Sequence, residues 1–186
     1  MSKRTRDGSQ VIAVAGGGGG GGSQDGVPGC GMEGPYPGTR IDIRNGGCAV
    51  GDRGGAAGDS GNQHTSDFAA TPGDVWQGGN GSQYGGGGGG GYAGGGGGGT
   101  SPGIGGGGGG GSSFIYLPIC RDYLIIHGHG KLPGGMEHNP PDGVGIGEWD
   151  KVGGVCGEGG TGLPTELRAG NGGAVRILKP GFFKGG

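Results

Sequence analysis

The sequence predicts a mostly β fold in which a small β-sheet abuts a bundle of polyglycine-II helices, with little or no α-helix. Glycine supplies 64 of the 186 residues and is concentrated in runs of nearly equal length, without the strict third-position glycine of collagen. Short apolar segments rich in β-branched residues flank the runs, and no segment repeats its apolar residues with a helical period.

The glycine runs carry most of this prediction. Four runs of six or seven residues are bounded by Gly16 and Gly22, Gly85 and Gly91, Gly94 and Gly99, and Gly105 and Gly111. In a polyproline-II-type helix, which rises about 3.1 Å per residue, each run would span about 19–22 Å. Such a helix has no internal hydrogen bonds, so its backbone groups need partners on neighbouring helices. Matched lengths therefore predict rods that pack side by side rather than separate flexible linkers.

The separators between the runs predict their directions. Tyr92 and Ala93 stand between the second and third runs, and residues 100–104, which include a Pro-Gly pair, stand between the third and fourth. Both separators are short enough to reverse the chain, and the second has the composition of a turn. Successive runs are thus expected to be antiparallel.

Five β-strands are expected from the apolar segments, at 11–15, 40–44, 112–117, 123–127 and 174–178. The connections at 45–83 and 128–173 have no clear period and are expected to be irregular loops. The length fits one domain, a single glycine-rich module over 1–186, in which 118–169 form a loop-rich insertion before the last strand.

Charge and hydropathy narrow the classes of partner. The formal net charge is −2, and the only basic cluster is Lys3, Arg4 and Arg6, which argues against a nucleic-acid partner. No apolar stretch reaches 18 residues, so no membrane span is expected, and the residues after Met1 lack a hydrophobic targeting segment.

Cysteine and histidine leave two questions open. Cys30, Cys48, Cys120 and Cys156 are even in number and lack a CxxC pair, so they fit either two disulfides or free thiols. Candidate metal ligands are His127, His129 and His138, but their spacing matches no zinc pattern and a solvated loop is the preferred interpretation. Neither a metal nor a cofactor is therefore expected.

Catalytic motifs are equally weak. The GHGK at 128–131 lacks the Ser or Thr of a phosphate-binding loop, and the GDSG at 58–61 lacks the flanks of a serine-protease loop. Since no catalytic constellation remains, the sequence predicts a protein that is not an enzyme.

The order of motifs resembles a known family. DGSQVIAVAGGGGGGG at 7–22, GGAAGDSGN at 54–62, GGNGSQYGGGGGGGYAGGGGGG at 78–99 and GGGGGGGSSFI at 105–115 are similar to the extracellular glycine-rich domain of the anaplastic lymphoma kinase and leukocyte tyrosine kinase receptors. GNGGAVRI at 170–177 resembles the last strand of glycine-rich modules in phage tail-fibre and bacterial surface proteins. Residues 120–169 lie outside the resemblance.

The resemblance implies β-strands whose connecting loops assemble into polyglycine helices. In the receptors this domain is a rigid scaffold beside the cytokine-binding surface, and in phage adhesins a related sandwich presents variable loops to a host receptor. The segment at 7–22 lies in mid-domain in the family, so an incomplete N-terminal half is expected. The strand at 11–15 would then have an open edge, completed by a protein partner, a neighbouring domain or a second copy.

The expected function is a non-catalytic structural scaffold or recognition module of a surface protein. Its specificity would lie in the non-glycine insertions around 30–77 and 118–169. An extracellular or cell-surface location follows if the N-terminal start is incomplete. The alternatives are a subunit of a larger intracellular or virion assembly, and an ice-binding protein, for which the threonines show no regular spacing.

Overall fold

The computed structural model of the chain describes residues 10–23, 43–59, 69–101 and 104–120, together with two short strands at 162–163 and 166–167. In these residues there is no helix, and six two-residue strands form three small antiparallel sheets. The strands are β1 (Ala13–Val14), β2 (Thr100–Ser101), β3 (Ile104–Gly105), β4 (Phe114–Ile115), β5 (Gly162–Leu163) and β6 (Glu166–Leu167).

The sheets tie together segments that are distant in sequence or close a turn. β1 pairs with β4, with Ala13 opposite Ile115 and Val14 opposite Phe114, so the entry to the first glycine run meets the exit of the fourth. β2 pairs with β3 around the separator of the third and fourth runs, and β5 pairs with β6. The β1–β4 and β2–β3 pairs thus lie where glycine runs begin or end.

Extended segments joined by lateral backbone hydrogen bonds make up the rest of the described fold. In chain order they are g1 (16–22), g2 (45–49), g3 (54–59), g4 (71–74), g5 (77–82), g6 (85–91), g7 (94–99) and g8 (105–111). Four of them, g1, g6, g7 and g8, are the uninterrupted glycine runs. The other four contain glycine together with small, polar and other residues.

Segment g7 is bonded to six others. Its N–H groups donate to carbonyls of g6, g2 and g4, and its carbonyls accept from N–H groups of g8, g3 and g5. Those six are bonded to one another in the ring order g6, g8, g2, g3, g4, g5. Segment g1 lies outside this ring and bonds to both g6 and g8. All residues of g7 are buried, as its central position requires.

The bonds recur at steps of three residues. From g6 to g8, Gly86 donates to Gly106 and Gly89 donates to Gly109, and the residues just after these segments continue the pattern with Tyr92 and Ser112, so g6 and g8 run parallel. From g7 to g6, Gly95 donates to Gly89 and Gly98 donates to Gly86, so this pair is antiparallel. Segments g7 and g8 are antiparallel as well. The directions predicted from the two separators are confirmed.

The interior is built of backbone rather than of apolar side chains. The buried hydrophobic residues are Val11, Ala49, Tyr92 and Ala93, and Ser112 is the largest side chain that is fully buried in the described part of the chain. Glycine allows this packing because a Cβ at most positions of the bundle would overlap a neighbouring carbonyl. Close backbone approach therefore takes the place of an ordinary core.

The prediction of irregular loops over 45–83 is wrong for g2, g3, g4 and g5, which belong to the bundle. Physically, a segment bonded at every third residue can carry side chains at the positions that face outward. In g5, Gln77 and Asn80 are exposed, and Ala56 and Asp59 are exposed in g3, three residues apart in each case. A segment can therefore belong to this bundle without being an uninterrupted glycine run.

The strand predictions have mixed outcomes. Strands are present within 11–15 and 112–117, each reduced to two residues. The strand expected at 40–44 is wrong at Ile43 and Arg44, which form a turn, and its other residues lie outside the described part. The strands expected at 123–127 and 174–178 also lie outside it. The predicted loop over 128–173 contains the β5–β6 hairpin.

No helix among the described residues is long and apolar enough to cross a membrane.

Candidate functional site

Polar side chains complete the hydrogen bonds at one end of the bundle. Ser112 is fully buried; its Oγ donates to the carbonyl of Gly51 at 2.6 Å and accepts from the N–H of Ala93 at 3.0 Å. Nearby, the Oγ of Ser113 accepts from the N–H of Gly16 at 3.1 Å. These hydroxyls satisfy backbone groups at and beside the ends of the bundled segments.

Polar side chains also form hydrogen bonds at the opposite end of the bundle. The Oδ1 of buried Asn45 accepts from the N–H of Gly107 at 2.9 Å. Ser82 and Thr100 are both buried and share a hydrogen bond between their hydroxyls, and the Ser82 Oγ also bonds the carbonyl of Gly98 at 3.2 Å. Polar side chains thus bond the backbone at both ends of the bundle.

An aromatic stack covers the end that contains Ser112. The ring of Tyr92, which is 6% exposed, is stacked on Phe114 of β4 with centroids 4.2 Å apart. Trp76 meets the same Tyr92 edge to face, with centroids 5.4 Å apart and planes at 89°. Trp76 itself remains 41% exposed. Tyr92 and Phe114 therefore hold the exposed indole of Trp76 in place.

The backbone of Trp76 adopts a left-handed conformation. Asp74 and Gln77 exchange backbone hydrogen bonds across the two-residue turn between g4 and g5, and Trp76 in this turn has φ 69°. Turns with a positive φ at this position favour glycine or asparagine, and a bulky residue there costs roughly 1–2 kcal/mol. In a chain with abundant glycine, an exposed tryptophan at such a position suggests a role other than stability.

Exposed large apolar side chains are concentrated in the connections at the ends of the segments. At the aromatic end they are Ile12, Val75, Trp76, Leu117 and Ile119, and at the other end they are Ile43, Tyr84 and Ile104. Trp and Tyr are the residue types most often found as binding hot spots in interfaces. The described fold thus presents its candidate contact residues on turns that a backbone bundle holds in place.

Segment g6 has glycine at outward positions where g3 and g5 carry side chains. Gln77 and Asn80 face outward from g5, whereas the outward positions of g6 are Gly87 and Gly90. A Cβ on Gly87 would come no closer than 3.8 Å to the carbonyl oxygen of Gly79, and one on Gly90 would lie equally far from that of Trp76. We call the surface between g5 and g6 the g5–g6 groove.

The cysteines differ from one another. Cys48 in g2 is disulfide-bonded, whereas Cys120 is a free, half-buried thiol. Cys30 and Cys156 themselves lie outside the described residues.

The histidine candidates also fall outside the described part: His127, His129 and His138 all lie between 121 and 161. Among the residues that the structure does describe, no group of three or more His, Cys, Asp or Glu side chains could hold a metal ion. Residues 128–131, considered as a phosphate loop, are likewise outside it. Of the GDSG at 58–61, Gly58 and Asp59 belong to g3; the N–H of Gly58 donates to Gly97 of g7, and the N–H of Asp59 donates to Ile43 in the turn before g2.

Sequence reasoning located the glycine runs but missed Ser112, Asn45 and Trp76 as organising residues. A signal for the missed segments was available: non-glycine residues recur every third position at 53, 56 and 59, and again at 77, 80 and 83. No sequence signal marked the left-handed backbone of Trp76.

Comparison with models of known protein families, with characterised proteins and with solved structures finds no match to this chain.

Proposed function

We propose that this chain is a non-catalytic scaffold and recognition module of a surface protein, in which g1 to g8 are packed polyglycine-II helices. The observation that carries the proposal is g7, which is buried along its whole length and bonded to six neighbours. A polyproline-II-type helix has three residues per turn, so its lateral groups recur in each direction at every third residue. The three-residue steps between the segments fit that geometry.

Rigidity follows from the way these helices are held. Ordering a glycine backbone is costly in entropy, and each net hydrogen bond returns only about 0.5–1.5 kcal/mol. Many lateral bonds acting together are therefore required, and loss of one helix would expose the bonding groups of several others. Such a bundle is expected to be ordered as a unit, which is what a scaffold needs to hold binding loops in fixed positions.

Recognition is assigned to the connections. The Val75–Trp76 turn and the residues after β4 place apolar side chains in solvent at one end, and Tyr84 with Ile104 do so at the other. Exposed aromatic side chains on rigid supports bind a protein partner with little loss of conformational entropy. The partner is expected to be a protein.

A surface or extracellular setting is supported by the disulfide of Cys48. Disulfides persist in oxidising compartments and are rare where thiols are kept reduced. The alternative of an intracellular assembly subunit is favoured less, because Cys48 would be expected to be a free thiol there, as Cys120 is.

Amide hydrogen exchange on the isolated, oxidised chain tests the proposal. The N–H groups of g7 should exchange slowest, and protection should be lost across the bundle in one cooperative transition on heating. The far-ultraviolet circular dichroism spectrum should be of the polyproline-II type. Exchange of residues 94–99 at the rate of an unfolded peptide, or folding only in the presence of another chain, would contradict the scaffold.

A further inference from the structure

The g5–g6 groove is lined by backbone groups that have no hydrogen-bond partner in the described part of the chain. Within the described residues, no group donates to the carbonyl oxygens of Gly85, Gly88 and Gly91 in g6. On the facing segment, the N–H groups of Gly78 and Gly81 find no acceptor among those residues either. All five residues are half-buried. The groove therefore offers acceptors on one wall and donors on the other, at intervals of three residues.

Glycine at the outward positions of g6 is not required by the fold. Gly87 and Gly90 have 3.8 Å or more of space in front of a Cβ, and neither has a positive φ. At such positions alanine is generally more stable than glycine, because it restricts the unfolded chain. Glycine is useful there if another backbone must approach closely. The glycines at 87 and 90 and the unpaired backbone groups are independent observations, and both indicate a ligand that presents its own backbone to the groove.

We infer that the g5–g6 groove binds an extended glycine-rich segment of a different protein chain, which adds to the bundle as one more helix. Segment g7 demonstrates the required pairing, since it donates to three neighbours and accepts from three others. The incoming segment would accept from Gly78 and Gly81 and donate to the carbonyls of Gly85, Gly88 and Gly91. The inference rests on the proposed bundle and supplies a class of partner for it.

A two-fold related copy of this chain fits the groove poorly. Between g7 and each of its six neighbours, all the bonds run in one sense, because one segment donates and the other accepts. If the g6 of a second copy entered the groove, a two-fold axis would place g6 against g6, and carbonyls would oppose carbonyls in an interface that must be self-complementary. The outward faces of g5 and g3 carry side chains and could not enter. The proposed occupant is therefore a segment of a different protein.

A soluble peptide tests the inference. The probe is a fluorescently labelled peptide of seven glycines flanked by two lysines on each side, and its control is the same peptide with N-methylglycine in place of glycine. Binding to the full, oxidised chain is followed by fluorescence anisotropy. The glycine peptide should bind and the control should not, because N-methylation removes every donor that the carbonyls of g6 require.

Variants locate the binding site. Gly87→Gln and Gly90→Gln place a side chain beside g5 without a clash in the fold, and should weaken binding by about tenfold or more at an unchanged melting temperature. Ala56→Gln adds the same side chain to an exposed position of g3 and should bind as the parent does. Equal binding of the two peptides, or full binding by the Gly87→Gln variant, would overturn the inference, as would self-association of the chain that these variants abolish.

The same sample separates the two proposals. If residues 94–99 are protected from hydrogen exchange and the peptide does not bind, the groove inference fails and the scaffold stands. If those residues exchange freely, the bundle is wrong and the groove loses its basis.

Discussion

Gly96 donates its backbone N–H to the carbonyl oxygen of Gly47 at 2.9 Å, and this bond joins an uninterrupted glycine run to a segment that contains only two glycines. The bond to Gly47 repeats three residues away, where Gly99 donates to Arg44 at 2.7 Å. Membership of the bundle therefore depends on which positions face inward. Whether a substitution is tolerated should depend on whether its position faces inward or outward, and not on the length of the glycine run that it interrupts.

Gly96→Ala should destabilise the fold strongly. The added Cβ would overlap the carbonyl of Ala56, and both groups belong to backbone that cannot move without breaking lateral bonds. Overpacking typically costs 1–3 kcal/mol and occasionally more, so a loss of about 3 kcal/mol is expected in urea unfolding.

Gly87→Ala is the matched control for Gly96→Ala, since it makes the same chemical change at an outward position. It should be neutral or raise stability by about 0.4–1 kcal/mol, because the site has room and alanine restricts the unfolded chain. Equal destabilisation by the two substitutions would contradict the packing of g7.

The sequence predicted the part of the fold that depends on uninterrupted runs and short turns. Equal run lengths indicated side-by-side packing, and the Tyr92-Ala93 and 100–104 separators indicated the chain reversals. Segments g2 to g5 could not be recognised from glycine content, because outward positions such as Ala56 and Asn80 carry side chains that hide the repeat. Nor could the site at Trp76, since its left-handed backbone results from the bonds that Asp74 and Gln77 make across the turn.

Trp76→Gly should be less harmful to stability than Trp76→Ala. Both substitutions remove the edge-to-face contact with Tyr92, which is worth about 0.5–1.5 kcal/mol. Only glycine also relieves the left-handed strain, so it should be the more stable of the two by about 1–2 kcal/mol. Thermal unfolding of both variants measures the difference. An alanine variant as stable as the glycine variant would mean that the backbone at residue 76 is not held in this conformation.

Ser112→Ala should cost about 1–3 kcal/mol, because the buried N–H of Ala93 and the carbonyl of Gly51 would each lose a partner that water cannot easily replace. Ser23→Ala provides the comparison. Ser23 also accepts from a backbone N–H, that of Gly105 at 3.0 Å, but Ser23 itself is exposed and this bond is only partly buried, so water can replace the hydroxyl at a smaller cost than at Ser112. Chemical denaturation of the pair should therefore separate them clearly; similar losses would show that Ser112 is not enclosed.

Cys48→Ser should lower stability more than Cys120→Ser does, because only Cys48 forms a disulfide. Cys48 anchors g2, which bonds g7 and g8, so removal of its disulfide frees the unfolded chain and should lower stability by about 2–5 kcal/mol. Cys120 has a free thiol at a half-buried position, and its replacement should change stability by less than about 1 kcal/mol. Melting temperatures measured with and without a reductant decide the matter. The reductant should lower the melting temperature of the parent and of Cys120→Ser, but it should leave the melting temperature of Cys48→Ser unchanged. If the reductant has no effect on the parent, the disulfide does not support the bundle, and the argument for an oxidising compartment is lost with it.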